Sequence, residues 1–456
     1  MQSRYDIAIV GGGAAGTLAA IQCLRHAISP LRIVLFEPAP RPAEGVAYAT
    51  TRVEHLLNVP SGRMSAFPDR AGDFVDWLSS QPDHAGAARD VLDRDFAPRR
   101  DYARYLRDRL QRAQDDSLAT LDIVPQRITG LRREDDVWIL AGPDHPVQAA
   151  RVLLATGNSP RPLPLRGSAA LVRPRLVEAW DHEGIAAIGA DADVCIAGTG
   201  LSMVDALLTL SANGHQGAVH LLSRHALLPL AHSPAHVVDA GLDVDALHPL
   251  GVRARLHKLR RQVRDAATRG LPWQAVMEQL RPHVAALWKS LPVEEQRRFL
   301  RHASRHWDTH RHRIAPAVHA VLQELRQSGR LHVHRARLDM AVAGKRCVQL
   351  TAHTRDRRAV VLDVDHVVNA TGLEMRVQAM RSPLLVQLLG DGHARPGAHG
   401  IGLDTDADGR LLDAVGQAHD NLRVIGSLRI GEAWESIAVP ELRVQAEAVA
   451  RDWLGG

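Results

Sequence analysis

Four consecutive apolar residues, Ile7 to Val10, follow Asp6 and lead straight into the glycine-rich stretch 11–16. A run this short and unbroken predicts a buried strand at 6–10. Residues 14–26 then carry a helical pattern, and 31–36 a second apolar strand. Strand, glycine turn, helix and strand in that order predict a βαβ unit. The order recurs in mid-chain, with a strand at 193–197, a turn at 198–203, a helix to about 213 and a strand at 218–222. Residues 41–69 lose periodicity and gain Pro, Gly and Ser, which predicts a long ordered loop of the kind that often carries function. Residues 74–78 and 100–113 read as helices, 121–140 as short strands, 151–154 as a strand and the Pro-rich 159–164 as a linker. Further on, 252–327 is helical and rich in Arg and His. Residues 331–362 return to strand-like segments, 364–368 read as a strand, and 440–454 as a helix.

Length then sets the scale. A chain of 456 residues predicts two or three domains. Apolar residues at 45% and charged residues at 23% are ordinary for a soluble globular protein. A net charge of +5 is mild and does not call for nucleic acid. The basic helices of 252–313 lack a recognised nucleic-acid motif or a basic-aromatic platform, so a solvated face over an apolar stripe accounts for them. No apolar run reaches the 18 residues of a membrane span, and the first strand begins too early to leave room for a secretory leader. Cys23, Cys195 and Cys347 lie far apart with no Cys-x-x-Cys pair, which argues against a redox dithiol and fits a reducing cytoplasm.

The two turns carry the chemistry. The first reads Gly11-x-Gly13-x-x-Gly16. Gly11 permits the tight turn, Gly13 lets the backbone approach a pyrophosphate, and Gly16 lets helix and strand pack closely. The free N–H groups where the helix opens, at Ala14 and Ala15, face the phosphates. Glu37, 21 positions after Gly16, stands where a carboxylate accepts both ribose hydroxyls of an adenosine. The second turn reads Gly198-x-Gly200-x-x-Met203 and opens its helix at Leu201. Met203 replaces the third glycine, so closer packing is denied there. Counting 21 positions from Met203 gives Arg224, which suits a 2′-phosphate and so NADPH, with NADH left open. Ala155-Thr156-Gly157 and Ala370-Thr371-Gly372 each close an apolar strand, where the chain of a two-dinucleotide flavoprotein passes between domains.

Several segments carry a family resemblance: Gly45-Val-Ala-Tyr48, His55-Leu-Leu-Asn58-Val-Pro60, Met64-Ser65, Phe96 to Tyr102, Trp307 to Pro316, and Gly431 to Ala446. With them the chain resembles bacterial FAD/NAD(P)-binding flavoprotein monooxygenases, a group that includes FAD-dependent urate hydroxylase and aspartate N-monooxygenase. Length and compact form look most like the urate hydroxylase. The resemblance implies an α/β fold of two Rossmann-like dinucleotide-binding domains. A split FAD domain, 1–165 and 331–456, would hold an inserted NAD(P) domain, 166–250, and a helical extension, 251–330.

The implied activity is oxygen transfer from O2, driven by NADH or NADPH through FAD, to a small anionic substrate. Urate, hydroxylated to 5-hydroxyisourate, is the leading expectation. An N-hydroxylase of an amino acid or amine is the alternative, and a non-catalytic flavin redox sensor a further one. A disulfide reductase is disfavoured by the cysteines. On this reading Asn58, Val59, Met64 and Ser65 contact the flavin, as do Gly426, Glu435, Ser436 and Ile437, with the following helix aimed at its carbonyl edge. Arg311 and Arg313 are candidates to hold the anion bidentately, and Trp434 to wall the pocket. Against these stand solvated or Glu-paired arginines and a packed tryptophan. His306 and His310 stand one helical turn apart without a completing ligand, so no metal is expected. No catalytic acid or base is singled out, and oligomeric state is left open.

Overall fold

The computed structural model describes residues 4–233 and 239–455. Its first sheet is built on five parallel strands in the order Ala418–Val424, Val147–Leu154, Arg4–Val10, Arg32–Phe36 and Thr120–Val124. The antiparallel strands Arg410–Leu412 and Val137–Ala141 flank it. Ile7, Ala8 and Ile9 have no exposed surface, because the strand is covered on both faces. On one face lie the helices Ala14–His26, Arg99–Asp116 and Val439–Leu454, whose apolar stripes join Ile7, Ile9, Ile33 and Leu35 in one core. On the other, Val34, Phe36 and Val152 pack with Trp138, Leu385 and Leu388. Each fully buried Leu or Ile contributes on the order of 1.5–3 kcal/mol, so these two layers hold the first turn rigidly.

The second sheet has five parallel strands in the order Leu331–Arg335, Val219–Ser223, Val194–Ala197, His366–Asn369 and Leu176–Glu178. Its helix, Leu201–Ala212, buries Met203, Val204, Ala206 and Leu207 against it. The antiparallel strands Arg337–Ala343, Val348–His353 and Ala359–Val364 form a small sheet packed on the same body. This corrects the expected partition at residue 331. Strands from 331 to 369 pair within, or pack against, the second sheet, and the chain returns to the first sheet only after Gly372. Strand membership follows hydrogen-bonding partners, and those of Leu331–Arg335 lie at 219–223. The crossing is stitched by Ser159–Pro160 pairing with Leu373–Glu374.

Helices Val252–Thr268, Trp273–Leu280, Val284–Lys289, Val293–His302, Ser304–Arg311 and Pro316–Gln327 occupy the stretch expected to be helical. Leu247, Leu280, Trp288 and Trp434 form the core of this extension. Among the described residues no helix is long and apolar enough to cross a membrane.

Candidate functional site

Both glycine turns are built alike. Gly11 has φ +104, donates its amide to Phe36 O at 2.9 Å, and lies so close to Ala155 that a Cβ would sit 2.3 Å from its carbonyl oxygen. Gly198 has φ +119, donates to Leu222 O at 2.9 Å, and its Cβ would sit 2.0 Å from Ala370 O. The two Ala-Thr-Gly segments are thus the surfaces against which the turns fold. Only glycine tolerates both the positive φ and the contact.

The second glycines differ from the first. A Cβ on Gly13 would meet only Gly45 Cα at 3.5 Å, and one on Gly200 would meet nothing within 4 Å. Gly157 and Gly372, both at positive φ, are equally open. Each helix N-terminus therefore fronts a bare backbone cradle, with the first amides of Ala14–His26 and Leu201–Ala212 exposed to it. These cradles fit a dinucleotide pyrophosphate.

The third positions separate the two turns. A Cβ on Gly16 would lie 1.8 Å from Gly11 O, so that helix sits tight against its turn. Met203 instead fills the second core and is fully buried. Glu37 is in place: its carboxylate accepts from Gly12 N and Ala39 N, both at 2.8 Å, and bonds to charged groups such as these are the stronger kind. Gly12, which sequence reasoning passed over, allows this, since a Cβ there would lie 2.6 Å from Glu37 Cβ. The register corrects the position of Arg224. Val10 pairs with Phe36, and its counterpart Ala197 pairs with Leu222, so the residue matching Glu37 is Ser223. Arg224, exposed, lies one step beyond. Ser223 Oγ shares a hydrogen bond with Thr199 Oγ1 at 3.0 Å.

The segment after the first sheet's last parallel strand closes over the first cradle. Gly426, at φ +78, lies beside Ala15, and its Cβ would be 3.5 Å from that of Ala15. Ser436 Oγ donates to Gly426 O at 2.7 Å, and Gln445 bonds both Gly426 N and Ser436 O. Ser427 Oγ reaches Gly157 O at 2.6 Å. These bonds seat the Val439–Leu454 helix with its N-terminus beside the first cradle. Ile437 is partly exposed at 36%. On the opposite loop, Met64 and Ser65 are buried, and the Ser65 hydroxyl is engaged by Arg70 O, so their side chains are structural. Val59 packs on the first core, and Asn58 O accepts from His232 Nε2 at 3.0 Å.

His55 and Arg99, also in the resemblance segments, join the two bodies. His55 Nε2 lies 3.1 Å from Asp205 O and 2.9 Å from Thr209 Oγ1. Arg99 Nη1 meets Asp205 Oδ2 at 2.6 Å. A nitrogen facing a carbonyl must carry the proton, so the neutral ring is the Nε2–H tautomer, with Nδ1 facing Thr50 Oγ1 at 2.7 Å. Burial lowers the His55 pKa in keeping with this.

The expected anion clamp takes another form. Arg311 Nε binds Glu435 Oε2 at 2.7 Å while Trp307 Nε1 holds Oε1 at 2.7 Å. Arg313 and Arg63 both bind Glu278, and Arg281 faces Glu441 at 3.4 Å. Burial pushes the Glu278 carboxyl up, but Arg313 and Arg63 outweigh it and hold it at about 2. Burial raises Glu435 despite Arg311. Arg311 and Arg313 thus serve different carboxylates, because buried guanidiniums need counter-charges. Trp434 stacks on Trp288 at 4.9 Å inside the extension's core and is not a free wall. Trp434 and Glu435 both hold positive φ, +36 and +55, a strained pair between Gly426 and the helix it supports. Buried polar atoms without partners gather here: Arg313 Nε, Glu441 Oε2 and Trp434 Nε1. The junction is a charged, incompletely satisfied surface where the 61–65 loop, the helical extension and the 426–438 segment meet.

Cys23 and Cys195 are buried, and burial pushes each thiol up to about 12. Among the described residues no cluster of side chains could hold a metal ion.

Residues 8–159 match a protein family described as FAD-NAD(P)-binding. No curated protein matches the sequence. Among solved structures, the ornithine N-hydroxylase of Kutzneria sp. 744, with reduced FAD, NADP+ and L-ornithine, superposes with a TM-score of 0.67 at 16% identity over 99% of both chains. The L-lysine 6-monooxygenase of Pseudomonas syringae gives 0.63 at 18%, over 98% of this chain and 99% of its own. The bacillithiol disulfide reductase of Staphylococcus aureus gives 0.58 at 13%, over 99% of both. At these identities the likeness establishes the fold: two Rossmann-like bodies with added helices.

Proposed function

We propose that the protein is an FAD-dependent, NAD(P)H-consuming monooxygenase that N-hydroxylates a small amine or amino acid. The observation that carries this is the pair of bare glycine cradles in one chain. The first is bordered by a hydrogen-bonded C-terminal segment, as suits a retained FAD. The second fronts open space at Gly200 and Gly372, as suits an exchanging nicotinamide dinucleotide. Bound FAD would supply the reductive activation of O2. The chain's own part is to hold the dinucleotides and to place a substrate at the Arg–Glu junction, shielded from water. Glu278, Glu435 and Glu441 among Arg63, Arg281, Arg311 and Arg313 offer both signs of charge, which matches an ammonium together with a carboxylate. The N-hydroxylases that share the fold act on ornithine and lysine, which supports this substrate class over urate.

Hydroxylation of urate is the second reading, favoured by the excess of arginine over glutamate at the junction. A disulfide reductase would need a dithiol, and two of the three thiols are sealed in cores.

The test follows NADPH and NADH oxidation in air with ornithine, lysine, aspartate or urate, while measuring hydroxylated product and hydrogen peroxide. Product matching an amine consumed, with little peroxide, supports N-hydroxylation. Stoichiometric loss of urate moves the reading to carbon. Peroxide alone with every substrate removes both.

A further inference from the structure

A cleft of about 600 Å³ opens between the helix Val439–Leu454, the turn at 407–408 and the short helix Ile430–Ala433. Val444 and Ala448 line it, on the face of their helix opposite Ala446, Val449 and Trp453, which pack into the first core with the helix Ala14–His26. The cleft is therefore separated from the first cradle by the thickness of a helix.

Two arginines that burial leaves short of partners form its floor. Arg423 and Arg429 are 5% and 6% exposed. Arg423 Nη1 donates to Asp408 O at 3.4 Å, and Arg429 Nη2 to Ala407 O at 3.0 Å. Consecutive carbonyls of one turn thus hold both guanidiniums, so the two like charges are neighbours. The Nε of each has no partner among the described residues. A guanidinium carries five N–H donors, and leaving a buried one unmet is costly.

The acids nearby answer this only in part. Glu432 is divided between Arg429, at 2.9 Å from its Oε2, and Lys289, on its Oε1. Asp452 pairs with Arg423, but 59% of its side chain is exposed and water screens it. Asp408 is exposed at the rim, and Arg451 turns to Glu447. Two neighbouring buried cations with unused donors therefore stand at the base of a cleft of small-ligand size. A group that only accepts, with several oxygens, is the complement of that floor.

We propose that this cleft binds a small molecule bearing a phosphate or carboxylate group, at a site separate from both dinucleotide cradles. The oxyanion takes hydrogen bonds from Arg423 and Arg429 together, the arrangement in which guanidinium forks hold such groups best. The rest of the molecule lies over Val444 and Ala448.

Calorimetric titration of the protein loaded with FAD and NADP+, at fixed ionic strength, tests this with inorganic phosphate and with citrate as the probes. At least one of them should fill a single saturable site with a Kd below about 1 mM, and the tighter of the two tells an organic phosphate from an organic carboxylate as the source. Arg429→Gln should weaken binding at least about tenfold. Ala448→Glu, at an exposed helix position, leaves both arginines intact but puts a carboxylate into the cleft, and should weaken binding as much. Unchanged flavin content in Ala448→Glu shows that its loss of binding is not a loss of fold. Failure of both probes to saturate a site, or unchanged binding in Ala448→Glu, overturns the proposal.

Discussion

The two glycine turns of this chain share a backbone and differ in everything laid over it. Each folds its first glycine against the alanine carbonyl of an Ala-Thr-Gly segment and leaves its second glycine bare. Around the first, Gly16 closes the helix onto the turn, Glu37 locks the strand end through two amides, and the Gly426–Ser436–Gln445 bonds close the segment above. Around the second, a buried methionine stands in for the glycine, a hydroxyl for the carboxylate, and exposed arginines for the covering segment. The same turn thus makes a closed site and an open one. A cofactor that stays and a cosubstrate that leaves need that difference.

The largest effect should come from the shared backbone. Gly11→Ala and Gly198→Ala each force a methyl to within 2.3 Å or less of a carbonyl oxygen at a strained φ. Each should prevent its own βαβ unit from folding, seen as loss of soluble protein or of a cooperative melt. Normal folding of either variant would mean that its turn is not under the constraint described.

Next is the junction that only the covered site possesses. Glu278→Gln leaves the buried Arg313 without its counter-charge, with the part-exposed Arg63 beside it, and should cost ~3–5 kcal/mol in denaturant unfolding. The same pair predicts an acid dependence. The Glu278 carboxyl is held at about 2 in the folded protein, against an ordinary 4.5. Its stabilisation is therefore complete above about pH 4.5 and lost as pH falls towards 2. Glu278→Gln should flatten that part of the stability profile. Smaller again, Glu37→Gln keeps the shape of the strand end but removes one of its two acceptor oxygens, so one of the two amide bonds is lost. It should loosen flavin binding by roughly 1–2 kcal/mol, read as faster flavin loss on dialysis, with the second site unaffected.

Much of this was legible in the sequence because it is local. The order of strand, turn, helix and strand fixes both cradles, and the residues that build each turn lie within about thirty positions of one another. The role of Ala155 and Ala370 was legible as a repeated tripeptide but not as a contact, because the contact is made across the sheet. What escaped depends on distant pairing. Residues 331–369 read as part of the first sheet's domain because nothing local in them names their partners, which for 331–335 lie at 219–223. Counting from the turn to Arg224 overshoots by one position because the second unit is one residue shorter between its turn and strand end, which only register reveals. Arg311 and Arg313 carry the same charge two residues apart, yet their partners Glu435 and Glu278 lie on opposite sides of them in sequence.

The most direct test uses the two bare glycines. Gly13→Val and Gly200→Val add side chains that meet almost nothing in the protein and project into the cradles. The measurement is the flavin content of each purified variant and the rate at which anaerobic NADPH bleaches it. Gly13→Val should fold but carry no FAD. Gly200→Val should be yellow and fully loaded, yet stay oxidised when NADPH is added. A yellow Gly13→Val, or a Gly200→Val bleached at the rate of the unaltered protein, would contradict the assignment of one turn to each nucleotide.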